Sequence, residues 1–231
     1  FRRKNASYDD FAREYVRARD SFFKEHPDVA GEYLREQMPS NLKGKKVLYA
    51  GCGVGDDVAW LEKQEAKVWG IDKSARMIGL ARKRHSALRG LSVQRFEKTN
   101  FADSSFDIVT SKYALHYAKD TRSVFAELHR ILKPEGFLIV LVAHPLLSFS
   151  YGRGDVVFVP FFSGEPTVTF PKHDFSEYFS PFTRRHFEVL SFREGPLGRA
   201  RGTRIPYFFV VKFRKLYLPP PRQSFGEGAQ I

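Results

Sequence analysis

Gly51, Gly53 and Gly55 occupy alternate positions between a short β-prone run, Lys46-Val47-Leu48-Tyr49-Ala50, and a helix-like segment from Asp56 to Gln64. A strand that turns through glycines into a helix brings backbone N–H groups and the positive end of the helix close to a ligand. A second apolar run, 66–71, ends in Asp72. An acid at the tip of the second strand is where a βαβ nucleotide site meets ribose hydroxyls. The spacing is G-x-G-x-G rather than G-x-G-x-x-G, so the glycines alone leave open a tight turn that binds nothing. Cys52 lies inside this turn, where a small apolar residue is needed, and no base stands beside it to make it a nucleophile. His116, His144 and His173 are the candidates for proton chemistry. None belongs to a His/Cys/Asp/Glu set with metal-ligand spacing, and no metal is expected.

The elements that must position these groups alternate as a parallel α/β sheet should. Residues 46–50, 66–71, 91–96, 106–111 and 137–143 read as five strands, and 56–64, 74–85 and 122–132 as helices. In the last helix Val124, Phe125, Leu128, Ile131 and Leu132 form the buried stripe, and Lys133-Pro134-Glu135-Gly136 is expected to end it. Upstream, Tyr8–Lys24 reads as an amphipathic helix and Val29–Met38 as a second, so residues 1–43 are expected to form a helical cap. After His144-Pro145 the chain becomes rich in aromatics interleaved with Gly and Pro, too apolar for a disordered linker and too irregular for another βα unit. Residues 145–182 are therefore expected to fold over the C-terminal edge of the sheet, with a short helix at 176–182. Phe149, Tyr151, Phe175 and Tyr178 are candidate walls of an apolar pocket. Strands at 187–192 and 207–213 complete a domain over 44–218, and 219–231 reads as a tail.

The chain has 231 residues, one cysteine and a formal net charge of +12. One α/β domain with insertions is the expected organisation. A single cysteine forms no internal disulfide, no apolar core follows Arg2-Arg3-Lys4, and no run approaches the roughly 18 apolar residues of a membrane span. The expectation is a cytoplasmic protein without a membrane span. The positive charge permits contact with nucleic acid or an anionic substrate. Its scatter along the chain favours a solvated surface instead.

Several motifs in order resemble one family. They are Phe106-Asp107-Ile108-Val109-Thr110-Ser111, Ala114-Leu115-His116-Tyr117 and Leu128-His129-Arg130-Ile131-Leu132-Lys133-Pro134-Glu135-Gly136, downstream of the glycine turn and Asp72. The succession resembles that of class I S-adenosylmethionine (SAM) dependent methyltransferases of the ubiquinone/menaquinone-biosynthesis-like, small-molecule branch. It runs from about Val47 to Ala143, with Tyr8-Asp9-x-x-Ala12 upstream. The resemblance implies a Rossmann-like, seven-stranded, mostly parallel sheet whose last strand is antiparallel, with helices on both faces. It implies SAM as cofactor and S-adenosylhomocysteine as product. The positions implied to face the cofactor are Tyr15, Gly51, Cys52, Gly53, Asp72, Lys73, Met77, Phe96, Glu97, Ser111 and Lys112. Among them Asp72 would take the ribose hydroxyls, Phe96 and Glu97 the adenine, and Ser111 and Lys112 the surroundings of the sulfonium. Two positions depart from the family pattern. Tyr49 stands where an acid usually steadies the SAM loop, and Arg95 where an Asp often reads adenine, with Glu97 two residues on.

Methyl transfer needs an electron-rich acceptor atom held close to the methyl carbon and in line with the leaving sulfur. A hydroxyl acceptor is helped by a general base, whereas a neutral amine needs only delivery. His144, directly after the fifth strand, His116, after the fourth, and His173, at the start of the insertion helix, are the candidate base or acceptor ligands. The expected activity is methyl transfer to a small, apolar or aromatic acceptor. An RNA or DNA methyltransferase is a second expectation, motivated by charge, although Ser111-Lys112-Tyr113-Ala114 lacks the N/D-P-P-Y/F signature of amino-methylating nucleic-acid enzymes. A non-catalytic binding subunit, motivated by Tyr49 and Arg95, is a third.

Overall fold

A computed structural model describes residues 8–150, 156–158, 168–200 and 202–217. Two helices, α1 (Tyr8–Glu25) and α2 (Val29–Glu36), precede the sheet. Then follow β1 (Lys46–Ala50), α3 (Asp56–Lys63), β2 (Lys67–Asp72), α4 (Ala75–Arg84), β3 (Leu91–Val93) and β4 (Phe106–Lys112). A 3-10 turn at Leu115–Tyr117 leads into α5 (Thr121–Ile131) and β5 (Leu132–Ala143). The insertion holds α6 (Pro145–Ser150), the hairpin β6 (Val156–Phe158) and β7 (Val168–Phe170), and the short helices α7 (Phe175–Tyr178) and α8 (Pro181–His186). The chain closes with β8 (Phe187–Glu194), a second hairpin of β9 (Leu197–Ala200) and β10 (Thr203–Pro206), and β11 (Phe208–Lys215).

Seven strands form one sheet in the order β3-β2-β1-β4-β5-β11-β8. Every pair from β3 to β5 is parallel, and β11 alone runs against both of its neighbours. The expected mostly parallel sheet with an antiparallel last strand is what the chain forms. Strand alternation sends side chains to two apolar layers. Leu48 and Ala50 of β1 join Val109, Phe125, Leu128 and Tyr178 on one face, while Val47 and Tyr49 join Val58, Leu61 and Ile78 on the other. Helices thus cover both faces, and the strand order reverses between β1 and β4. Ligands of open α/β sheets bind at such a reversal, above the C-terminal strand ends.

The helix starts explain why the loops there hold their shape. Ser74 Oγ accepts the Met77 N–H at 3.0 Å, Asp120 caps α5, Asp28 caps α2 through the Gly31 N–H, and Asp174 and Glu177 form a reciprocal capping box on α7. The α3 helix differs, because its N-cap is Gly55 in the left-handed region with no side-chain cap.

Three expected boundaries are corrected. The third strand stops at Val93 rather than Phe96, because Arg95 bridges to Lys98 and turns the chain out of the ladder. The α5 helix passes directly into β5 at Leu132, so Lys133-Pro134-Glu135-Gly136 belongs to a strand, with a register shift against β4 and Glu135 at φ 60°. The expected helix at 176–182 is two short helices, divided where Ser180 caps Pro181 onward. Residues 218–231, which include the expected tail, lie outside the described residues.

Candidate functional site

The glycine turn sits at the tip of β1 with φ of 77°, 52° and 82° at Gly51, Gly53 and Gly55. A Cβ at Gly51 would lie 2.1 Å from the Ala114 methyl, so no side chain fits there. A Cβ at Gly53 would meet nothing within 4 Å, which leaves that backbone approachable from the front. The N–H groups of Gly51 and Cys52 both donate to Ile71 O at 2.8 and 2.9 Å. Asp72 completes the cradle, with Oδ2 accepting from Gly53 N and Oδ1 from Ser74 N, both at 2.9 Å. Burial pushes the Asp72 carboxyl up, opposed by those backbone bonds and by Lys73. A carboxylate offers about four lone-pair positions, so two backbone bonds leave room for a pair of hydroxyls.

Helix α1 packs beside this turn, on Val54 and Met77. Ala12 packs with Val54 and Met77, flanked by Tyr8, Tyr15, Val16 and Leu80. Tyr8 and Tyr15 meet edge to face at 5.1 Å, the Tyr8 and Tyr117 hydroxyls share a 2.7 Å hydrogen bond, and the Lys73 ammonium lies 5.8 Å from the centre of the Tyr117 ring. Burial raises the Tyr15 phenol, opposed by Arg19 and reinforced by Asp72. Asp9 clasps α1 to the start of α4, accepting from Ser74 Oγ at 2.5 Å and from the Arg76 N–H at 3.1 Å. Tyr15, Gly51, Cys52, Gly53, Asp72, Lys73 and Met77 thus gather around one turn. Cys52 is buried, and burial together with Asp72 holds its thiol protonated.

The remaining expected cofactor residues are placed differently. Phe96 packs into the core with Leu48, Ala50 and Ile71, so its ring is not free on the open side, and Glu97 pairs with Arg95 at 2.9 Å. Ser111 is fully buried at the end of β4, and its Oγ has no partner among the described residues. Lys112 turns away from Ser111 toward carboxylates, reaching Asp28 at 2.7 Å and Asp57 at 2.9 Å. Asp57 also accepts from the Tyr49 hydroxyl at 2.8 Å and faces Arg35 at 3.6 Å. A half-buried polar network therefore spans the glycine turn from β1 to α3 and ties both to the cap of α2. Sequence reasoning missed Asp28 and Asp57. Asp28 reads as an ordinary helix cap after Pro27, and Asp57 as one of two acids suited to the helix dipole.

Two of the three histidines are fully engaged. His144 is completely buried; its Nδ1 accepts the Leu146 N–H at 3.1 Å, which leaves Nε2–H to donate to Glu194 at 3.0 Å. His173, also buried, has its Nε2 2.8 Å from Ala118 O and its Nδ1 2.6 Å from Glu177, and so joins the insertion to the loop after β4. His116 is the exception. It packs between Tyr117, at 4.4 Å, and Phe170, at 4.7 Å, with Nδ1 buried and unpartnered among the described residues. Burial, helped by His173, pushes His116 down to about 3, so the imidazole is neutral near pH 7. Of the candidate pocket aromatics, Tyr178 is core, Phe175 packs on Phe209, Phe149 is exposed, and Tyr151 lies outside the described residues. Among the described residues no three His, Cys, Asp or Glu side chains converge as a metal set, and no helix is long and apolar enough to cross a membrane.

This sheet order, with its single reversed strand and its glycine turn at the tip of β1, is that of class I SAM-dependent methyltransferases. Residues 48–140 match the family described as "Methyltransferase domain". Over 116 residues the chain is 34% identical to malonyl-[acyl-carrier protein] O-methyltransferase of Pectobacterium atrosepticum, covering 50% of this chain and 45% of that protein. Over 139 residues it is 27% identical to demethylmenaquinone methyltransferase of Staphylococcus epidermidis, covering 58% and 57%. A crystal structure of a putative SAM-dependent methyltransferase from Listeria monocytogenes superposes with a TM-score of 0.68 at 22% identity, over 83% of this chain and 100% of that one. The chain spans about half the length of the curated relatives it matches.

Proposed function

We propose that this chain is a SAM-dependent methyltransferase whose acceptor is a small, apolar or aromatic molecule presented above the ends of β4 and β5. The observation that carries this reading is the glycine turn held by Asp72, with Gly53 open to the front. The donor set suits SAM. Backbone at Gly51 and Gly53 would meet the methionine end, the remaining Asp72 lone pairs would take ribose hydroxyls, and Met77 and Tyr15 would give apolar cover. When bound, SAM supplies a methyl group on a sulfonium. The protein's own task is to exclude water and hold the acceptor atom in line.

Ser111 Oγ and His116 Nδ1, both buried and unpartnered among the described residues, are the polar groups suited to meet the acceptor. A ring pushed down to about 3 is a poor proton acceptor near neutrality, so His116 serves as a hydrogen-bond partner. His144 and His173 act as supports, since the bonds they already make occupy both ring nitrogens. Relatives named for a malonyl-carrier substrate and a demethylated quinone support a small-molecule acceptor. Nucleic acid is less favoured: Arg19, Arg84, Arg130, Arg193 and Arg214 are each engaged by carboxylates, which reduces the free basic surface. The single cysteine supports a cytoplasmic location.

Calorimetric titration with SAM and S-adenosylhomocysteine tests the reading. Both are expected to bind, and folded protein that binds neither at millimolar ligand would overturn it. SAM binding without turnover on a broad acceptor panel would favour the non-catalytic alternative, and steeply salt-dependent tRNA binding the nucleic-acid one.

A further inference from the structure

Tyr113 follows directly on β4 with φ 53°, in the left-handed region. That conformation is a genuine outlier for a bulky side chain and persists only where its surroundings impose it. The other described non-glycine residues with positive φ are Glu65, Ser104 and Glu135, polar and exposed. Tyr113 is aromatic and stands at the C-terminal edge of the sheet. Its N–H donates to Leu141 O at 2.8 Å, which pins the strained residue to β5. Tyr113 is 39% exposed overall, while burial of its hydroxyl end raises the phenol above its ordinary value. Among the described residues its ring meets two others edge-on, Phe208 at 6.1 Å and interplanar 89°, and His116 at 6.3 Å and interplanar 78°. Strain at a partly exposed aromatic, next to a buried histidine nitrogen without a partner among the described residues, is the signature of a group held for a ligand.

We propose that Tyr113 is a specificity-determining residue that stacks against a planar ring in the methyl acceptor, while the acceptor's hydroxyl or carbonyl oxygen bonds to His116 Nδ1. This rests on the methyltransferase reading and narrows its acceptor to ring-bearing molecules with one polar edge. Three arrangements fit together. Tyr113 forms a wall, His116 lies at the base between Tyr117 and Phe170, and Ser111 is two residues back on the same strand end. A neutral imidazole either donates to a carbonyl or accepts from a hydroxyl, so one histidine suits either polar edge.

The test uses the full chain saturated with S-adenosylhomocysteine and measures binding of 2-naphthol, with cyclohexanol as the non-planar control. The wild type is expected to bind 2-naphthol in preference to cyclohexanol. Tyr113→Gly is expected to weaken 2-naphthol by about tenfold, the loss expected for one aromatic pair, and Tyr113→Phe to restore it. SAM affinity should stay unchanged in both variants. Tyr113→Gly should also unfold no earlier than the wild type, because glycine adopts this φ without strain. The proposal is overturned if the wild type binds SAM but shows no preference for 2-naphthol, or if Tyr113→Gly binds it as well as the wild type. It is also overturned if SAM affinity falls along with 2-naphthol affinity, which would put Tyr113 on the cofactor side. A wild type that fails to bind SAM at all strikes the methyltransferase reading instead.

Discussion

The Tyr49–Asp57 bond crosses the glycine turn from the strand before it to the first turn of the helix after it, and removing it should loosen the cofactor site. Tyr49 is 2% exposed, and burial followed by the neighbouring Asp57 charge raises its phenol far above the ordinary value, so it keeps its proton and donates a hydrogen bond at every working pH. Its 2.8 Å bond to a carboxylate is charge-assisted, a class worth about 1.5–3 kcal/mol. Tyr49→Phe removes the hydroxyl but leaves Asp57 facing Lys112 and Arg35, so the expected stability loss lies at the low end, about 1.5 kcal/mol. Asp57→Ala leaves the Tyr49 hydroxyl buried without a partner and takes one of two carboxylates from Lys112, for an expected loss of about 3 kcal/mol. In the double variant the shared bond is counted once, so urea denaturation of the four proteins should give a coupling of about 1–2 kcal/mol. Calorimetry on the same proteins should show SAM affinity about tenfold weaker in each single variant and no weaker in the double, because one turn is loosened each time. Additive stability losses, or unchanged SAM affinity in Asp57→Ala, would refute the idea that this bond holds the turn.

Gly53→Ala adds a methyl to an open face at φ 52°; it is expected to cost about 1–2 kcal/mol of stability and to abolish SAM binding, as read by melting temperature and titration. His116 titrates near 6.5 in the unfolded chain but near 3 when folded, so the unfolded state takes up the proton first as pH falls. Stability from this group is complete above pH 6.5 and declines below it. Between pH 7 and 5 the expected loss is about 2 kcal/mol, and urea titrations of His116→Gln should lack that slope. His144→Asn keeps an acceptor near the Leu146 N–H but drops the bond to Glu194; it is expected to lower melting temperature while leaving the pH profile of methyl transfer unchanged.

What could be read from the chain without coordinates divides by the range of the interaction. The seven strands, the glycine turn and Asp72 were legible because each rests on local periodicity or on short spacings that the backbone enforces. The bonds that set the site's electrostatics were not, because Lys112 meets Asp28 across 84 positions and His144 meets Glu194 across 50. No local pattern distinguishes a histidine whose two nitrogens are taken from one with a nitrogen left over. The packing of Phe96 was hidden for a related reason: its position after the third strand suggested an adenine contact, and the turn at Arg95–Lys98 also sets its ring against the core. Pro134-Glu135-Gly136 read as a terminator because turns and strand bulges favour the same residue types.

The departure at Tyr49 takes on a different meaning once the network is traced. The carboxylate absent from the end of β1 is supplied eight residues later by Asp57, and the tyrosine hydroxyl reaches it. A carboxylate at either end of the turn can brace it, provided a cation balances the buried charge. Lys112 is that cation, and it also holds Asp28 in the helical cap, where burial alone would push the carboxyl up but the Lys112 charge and the Gly31 N–H bring it below its usual range. The cap is bound to the sheet at other points as well, through Asp9 on Ser74 and Arg76 and through Arg19 on Asp56. Cutting the chain between residues 43 and 44 would therefore strand Lys112 with half its compensation and uncover Val54 and Met77 beside the glycine turn. The helices before β1 thus brace the proposed cofactor site, and Tyr49 marks a rerouted brace that needs Asp57 and Lys112 together.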